Sequence, residues 1–296
     1  MKKLLSLTLA LLLLGVCATA LGEDIIINKI TDTANSFEFP EDAKLLEVYF
    51  PAIYGVDAAY VRYGDYGMLI DCAGIGPLKQ WETFDKMLTK LGVTEVNYAV
   101  NSHPDADHIG GFNHVLDHIS CGEFILGFPE DYDEGDEVRF TVYRDLHNLG
   151  IPFRRVANGD TLDFGDAQVT VYQRFDEEIA RVNGKSVMLM IQLGERRIFF
   201  TGDIMYYNTQ KLLAEDAENL DLHADILKYP HHGYEALNQG FYEMVHPKLA
   251  IITSGSQDAK KAAEFLRNNG VKFHYTEQGT IRLATDGTVW TVERIK

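Results

Sequence analysis

The chain has 296 residues, 46% of them hydrophobic and 24% charged, with 27 Lys and Arg against 44 Asp and Glu for a formal charge of −17. That length and balance suit a globular protein with a sizeable core and exclude a chain disordered throughout. The acidic excess, with no run of Lys or Arg, argues against tight non-specific binding to nucleic acid, whose phosphates attract clustered basic side chains.

Lys2 and Lys3 precede an apolar run from Leu4 to Val16, and Ala18-Thr19-Ala20 puts small residues at alternate positions. This is the layout of a cleaved signal peptide over residues 1–20, so the mature chain is expected to be secreted or otherwise extracytoplasmic. The run is shorter than the roughly 20 apolar residues of a spanning helix, and no later stretch approaches that length. Cys17 raises lipid anchoring as the lesser option, because Val16 is bulkier than the small residue usual before a lipidated cysteine. Residues 21–296 carry no linker rich in Pro, Gly or Ser and are read as one domain.

Strands are expected near residues 46–50, 58–63 and 68–71, the last two joined by a tight turn in YGDYG. Pro77 suits the first turn of a helix on which Leu78, Trp81, Phe84, Leu88 and Leu91 recur at helical spacing, and Gly92 ends it. Residues 95–100 read as a strand that runs directly into SHPDADHIGG, and residues 110–119 as the helix leaving that loop. EFILG is a further strand and residues 138–149 a helix. Between them the acidic run EDYDEGDE, residues 130–137, lacks the ligand spacing of a calcium loop and reads as a solvated loop.

In the second half AQVTVYQ, SVMLMIQL and RRIFFTGD read as successive strands with turns at FGD and GER. A helix near residues 206–215, the strand ADILKYP, a helix near 237–244, the strand LAIITS, a helix near 259–269 and a hairpin around TDG complete the chain. Strands in both halves with helices between them predict two sheets face to face and helices outside. Cys72 and Cys121 are compatible with one disulfide or with two free thiols.

SHPDADHIGG, residues 102–111, falls at a strand's C-terminal end, where α/β architectures gather functional side chains. Alternate residues of an extended segment point the same way, so His103 and Asp105 can share one cation while Asp107 and His108 turn toward a second. Imidazoles mixed with carboxylates suit zinc or manganese better than copper or an iron–sulfur cluster. Alone, the stretch also reads as an Asp-rich turn capping the next helix. Two later strand ends supply company: FFTGD stops at Asp203, whose carboxylate can bridge cations, and LKYPHHG stops at His231-His232-Gly233. His114 and His118 share a helix face beyond the loop and read as surface residues.

In this order the segments resemble the metallo-β-lactamase superfamily, in particular the branch of the β-lactamase-like domain of the ComEC competence protein and the secreted phosphorylcholine esterases. YGMLIDCAG is similar to the early strand with its Asp-x-Gly type turn, SHPDADHIGG to the HxDxDH variant of HxHxDH, NGKSVMLMIQLGERRIFFTGD to the Asn-x-x-Ser strand pair ending in Gly-Asp, and ADILKYPHHG to the HHG segment. The resemblance covers most of the mature chain. It implies an α+β fold, a four-layer αββα sandwich of two mixed sheets with helices outside, and a hydrolytic site between the sheets holding one or two Zn2+, with Mn2+ as the alternative.

By the same resemblance His103, Asp105, Asp107, His108, Asp203 and one HHG histidine are metal ligands. His232 is favoured as that ligand and His231 as a neighbour touching the substrate phosphate, with the reverse assignment open. Asp71 is expected to hold ligand residues by hydrogen bonds. The implied reaction is hydrolysis of a small or exposed phosphodiester by metal-activated water, with His231, Asp107 and Lys228 as catalytic residues and His231 or Lys228 stabilising phosphoryl charge. Rival readings are a lactam, lactone or thioester hydrolase on the same scaffold and a non-catalytic secreted metal-binding or interaction protein. Several positions depart from the family pattern. Asp105 replaces the usual second histidine, and no ligand histidine occurs between residues 148 and 202, so one metal position is poor in nitrogen donors. The downstream asparagine-tyrosine-glycine-histidine loop is missing after Ser254, and Tyr234 stands where a serine is common.

Overall fold

The computed structural model describes residues 25–27, 37–177, 179 and 181–295, so the expected signal peptide and Cys17 lie outside the described residues. The strands are β1 (Ile25–Ile27), β2 (Leu46–Phe50), β3 (Ala58–Tyr63), β4 (Tyr66–Cys72), β5 (Glu95–Asn101), β6 (Ser120–Leu126), β7 (Phe153–Arg155) and β8 (Thr161–Phe164). They continue as β9 (Ala167–Tyr172), β10 (Met188–Leu193), β11 (Arg196–Phe200), β12 (Ile226–Lys228), β13 (Leu249–Ile252), β14 (Lys272–Tyr275), β15 (Thr280–Thr285) and β16 (Trp290–Ile295). The helices are α1 (Gln80–Lys90), α2 (Ala106–Ile109), α3 (Phe112–Val115), α4 (Val138–Asn148), α5 (Thr209–Glu215), α6 (Gln239–Val245) and α7 (Lys260–Asn268).

One sheet has nine strands in the order β1-β16-β15-β2-β3-β4-β5-β6-β7, and the other has seven, β14-β13-β12-β11-β10-β9-β8. Both are mixed: β4-β5-β6-β7 and β11-β12-β13-β14 run parallel, while the hairpin partners run antiparallel. Side-chain alternation sorts each strand between two layers. Met68 and Ile70 of β4 join Leu189 and Ile191 of β10 and Ile198 and Phe200 of β11 in the core between the sheets. Leu69 faces the other way, among Phe84 and Leu88 of α1, Phe112 of α3 and Leu146 of α4. Met190 and Phe199 face Leu213 of α5, Phe241 of α6 and Leu266 of α7. Strands buried on both faces read as nearly continuous apolar runs, as MLMIQL does with only Gln192 interrupting it. This is the expected four-layer α+β sandwich.

Four short strands, β1, β7, β8 and β14, carry too few residues to show a period and were not expected from sequence. The helix expected from Pro77 begins only at Gln80, because Lys79 takes a left-handed φ of 43°, and Leu78 stays outside it. Of the helix expected over residues 110–119 only the short α3 forms, and α2 precedes it across Gly110-Gly111. Cys72 and Cys121 are free thiols. They sit on β4 and β6 with β5 between, and two strand spacings of about 4.8 Å exceed the span of a disulfide.

The β10–β11 and β15–β16 hairpin turns meet at one end of the sandwich, where the Glu195 N–H donates to the Gly287 carbonyl (2.9 Å). A Cβ at Gly194 would lie 2.7 Å from that same oxygen. The strand ends that carry the acidic and imidazole motifs lie at the opposite end.

Candidate metal centre

β4, β5, β11, β12 and β13 all deliver their C-terminal ends to one edge of the sandwich. β3 is antiparallel to β4, with Ala58 opposite Cys72, so Asp57 just before β3 arrives at the same edge. There the Ala73 N–H donates to the Asp57 carbonyl (2.7 Å). Asp71 takes a left-handed φ of 54°, which Asp tolerates better than most residues. Its carboxylate accepts from the Ser102 N–H (2.7 Å) and Ser102 Oγ (2.6 Å) and lies 2.7 Å from His108 Nδ1. Those bonds tie the end of β4 to the motif after β5 and fix the His108 ring with Nε2 directed away from Asp71. The paired glycines have a steric reason: a Cβ on Gly110 would sit 2.5 Å from Ala106 O, and one on Gly111 2.0 Å from Cys72 O.

Asp203 follows Gly202 (φ 51°), where a Cβ would lie 2.7 Å from Ser186 Cβ. The Asp203 N–H donates to Ser186 Oγ (3.1 Å). After Pro230, His231, His232 and Gly233 are all left-handed (φ 49°, 52° and 84°). This curl replaces the alternation of a strand, and both imidazoles reach Asp203.

The groups meet around Asp203 Oδ2, 3.2 Å from His108 Nε2, 3.2 Å from His232 Nε2 and 4.0 Å from His231 Nε2. Asp107 Oδ2 is 3.2 Å from His232 Nε2 and 3.9 Å from His108 Nε2. Beside them His103 Nε2 is 3.4 Å from Asp105 Oδ2, and the His103 and His108 ring centroids are 4.1 Å apart. Asp107 is 39% exposed and His231 25%, which marks the open side, whereas His103, His108, Asp203 and His232 are buried. Each sequence-derived candidate from the first motif, the Gly-Asp turn and the HHG segment is thus within one cluster.

Asp57, His108, Asp203 and His232 each place a donor atom within 4.8 Å of the other three. Asp57, however, approaches the Nδ1 edges, 3.2 Å from His232 and 3.8 Å from His108, while Asp203 and Asp107 approach the Nε2 edges. A cation held by both Nε2 atoms would therefore face Asp203 and Asp107, with Asp57 behind the rings. Asp57 also accepts from Thr253 Oγ1 and pairs with Lys228. Sequence reasoning missed it, since a single Asp ahead of a strand looks like a turn residue.

Charge explains why so many ionisable groups tolerate burial. Burial pushes the His232 and His108 imidazoles down, but Asp203 and its neighbouring carboxylates outweigh this and hold both well above their usual range. Burial would raise the Asp107 carboxyl, yet His108 and His232 hold it at about 2. Asp57 is likewise held low against burial by Lys228 and His232, and Lys228 is held high against burial by Asp57 and Asp203. His231 is the exception: burial lowers it, so its imidazole is neutral. The pocket is an anionic cage that retains positive charge. His103 Nε2, His108 Nε2 and Asp203 Oδ1 are buried with no hydrogen-bond partner among the described residues. Buried donors and acceptors left unpaired are rare, and imidazole nitrogens with carboxylate oxygens are the donor set of zinc or manganese. The residues fit a bound divalent ion.

Two sequence expectations are corrected by this geometry. Lys228 is 3% exposed, and its ammonium donates to the Gly202 carbonyl (3.0 Å) and pairs with Asp57, so it is engaged beneath the cluster rather than offered to a phosphoryl group. The 130–137 run is not simply solvated. Asp136 accepts from the Ala106 N–H (2.8 Å) and its N–H donates to the Pro104 carbonyl (3.2 Å), clasping the metal motif. The buried Arg139 holds that loop by donating to the carbonyls of Tyr132, Gly135 and Asp136.

Residues 53–245 match the family model of the metallo-beta-lactamase superfamily. The chain is 27% identical over 214 residues to ComE operon protein 3 of Bacillus subtilis, covering 69% of this chain and 26% of that protein. It is 27% identical over 188 residues to competence protein ComA of Neisseria gonorrhoeae, covering 63% and 24%. It thus spans about a quarter of the length of these curated relatives. Among solved structures, the metallo-beta-lactamase fold protein YhfI of Bacillus subtilis aligns with a TM-score of 0.52 at 11% identity, over 84% of this chain and 100% of that one. CmlA, a diiron beta-hydroxylase from Streptomyces venezuelae, aligns at 0.55 and 12%, over 87% and 55%. At such identities the structures speak for the fold.

Proposed function

The chain belongs to the metallo-β-lactamase superfamily, and from that footing we propose that it is an exported, metal-dependent hydrolase acting on phosphodiesters. The observation that carries this reading is the convergence of His108 Nε2 and His232 Nε2 on Asp203 Oδ2, with Asp107 against His232 Nε2 and the His103–Asp105 pair alongside. Asp107, His108, His232 and Asp203 would hold one Zn2+ or Mn2+, and His103 with Asp105 and Asp203 a second, weaker one. A bound cation supplies Lewis-acid activation of water and polarisation of the phosphoryl oxygen.

The protein's own groups do the rest. Asp71 keeps a proton on His108 Nδ1, so the Nε2 proton is the one that a bound cation would displace, and Asp57 with Thr253 does the same for His232. Lys228 takes a positioning part, anchoring the Gly202 carbonyl and so the Asp203 turn. His231, neutral and at the mouth, is placed to donate a hydrogen bond to a phosphoryl oxygen or to the departing group. The resemblance of the motifs to those of the phosphorylcholine esterases supports phosphodiesters over other esters, and the net charge of −17 favours a small or exposed substrate over duplex DNA. Export rests on Lys2, Lys3 and the apolar run to Val16.

Metal-reconstituted protein assayed on bis(p-nitrophenyl) phosphate, p-nitrophenyl phosphorylcholine and nitrocefin tests the reading. We expect turnover of at least one phosphodiester, lowered at least about 100-fold by Asp107→Ala. Turnover of nitrocefin alone, or bound metal with no turnover, overturns it.

A further inference from the structure

On the Asp107 side of the candidate centre lies a groove of about 220 Å3, lined by Val56, Ile75, Pro77, Leu78, Ala106 and Asp107 among others. Its wall is the segment between β4 and α1. Helical spacing would have turned Leu78 into the helix that packs on the sheet, but the left-handed Lys79 stops the helix short. Leu78 is left 63% exposed and Ile75 40%. Large aliphatic side chains in water at one place mark a site that something apolar covers.

The wall is held rather than loose. Gln80 and Tyr54 exchange two hydrogen bonds, Tyr54 N–H to Gln80 Oε1 and Gln80 Nε2 to the Tyr54 carbonyl, each 2.8 Å. The Lys79 N–H donates to the Gly76 carbonyl (2.8 Å). Gly74 lies against Asp107 itself, where a Cβ would stand 3.3 Å from the Asp107 Cα. The groove is therefore continuous with the reacting end of the site, since Asp107 lines both.

We propose that this groove is the subsite for an apolar substituent of the substrate, a phenyl or short alkyl group carried on the phosphoryl centre. At about 30 Å3 each the volume corresponds to about seven water-sized groups, which a phenyl ring or a hexyl to heptyl chain fills and an octyl chain overruns. The inference rests on the phosphodiester reading only for the group at its polar end.

The test titrates zinc-reconstituted protein with the non-hydrolysable alkylphosphonates from methyl to octyl by calorimetry, and assays p-nitrophenyl methyl phosphate in the same preparation. Affinity is expected to rise about fourfold per added methylene as far as about heptyl and then level off. In Leu78→Asp the gain should fall below about twofold per methylene, and Leu78→Met should restore it. Position 78 is exposed, so neither variant threatens folding. A flat series, whether or not methylphosphonate binds, overturns the groove, and so does a slope that Leu78→Asp leaves intact. Ester turnover with a flat series leaves the phosphodiester reading standing without the groove. A steep, Leu78-dependent series without turnover supports the groove and removes that reading.

Discussion

Asp57 touches Lys228, His232 and Thr253 at once, and all four are buried. Removing one partner of a buried ion pair costs about 3–5 kcal/mol, because the other charge stays in a low-dielectric site. Asp57→Asn should lose that much in guanidinium unfolding of metal-free protein, and Asp57→Asn with Lys228→Met should regain at least about half of it. The thiols make a second case. Burial pushes Cys121 up to about 12 and Cys72 well above its usual value. An unfolded thiol ionises near 8.5, so this contribution to stability is complete below about pH 8.5 and declines as pH climbs toward 12. At pH 8 both thiols should resist Ellman's reagent until the protein is unfolded. Residues adjacent in SHPDADHIGG could be read together because one loop delivers them. Asp57 could not, because only its pairing across β3 and β4 brings it to His232.

At the scale of elements, the glycine pair after His108 decides how α2 and α3 seat on β4. Gly111→Ala puts a Cβ 2.0 Å from the Cys72 carbonyl, a backbone atom that cannot step aside. We expect a loss of about 3 kcal/mol or more by thermal or denaturant unfolding. Gly76→Ala, with nothing within 4 Å, should change stability by less than about 0.5 kcal/mol. Apolar periodicity made the long strands and α1, α4 and α7 legible, since each buries one face for several residues. It could not reveal where α1 starts, which a single backbone angle at Lys79 decides, nor that Asp136 folds back onto Ala106, a contact between segments 30 residues apart.

For the whole molecule, alternating strands and helices were enough to anticipate two sheets with helices outside, because runs buried on both faces have few other ways to pack. Strand order was not legible, since it depends on non-local pairings such as β15 with β2. The charge of −17 is a property of the molecule as a whole. Like charges repel at a distance and salt screens them, so kcat/KM for an anionic diester should rise as ionic strength goes from about 0.01 to 0.15 M. A fall would mean that local positive charge governs encounter.

The contact between the β10–β11 and β15–β16 turns has a mechanical consequence. With main chain bonded to main chain at Glu195 and Gly287, the two sheets are tied together at the end away from the imidazoles. A side chain at position 194 would strike the Gly287 backbone, so a substitution there should loosen that tie far from the chemistry.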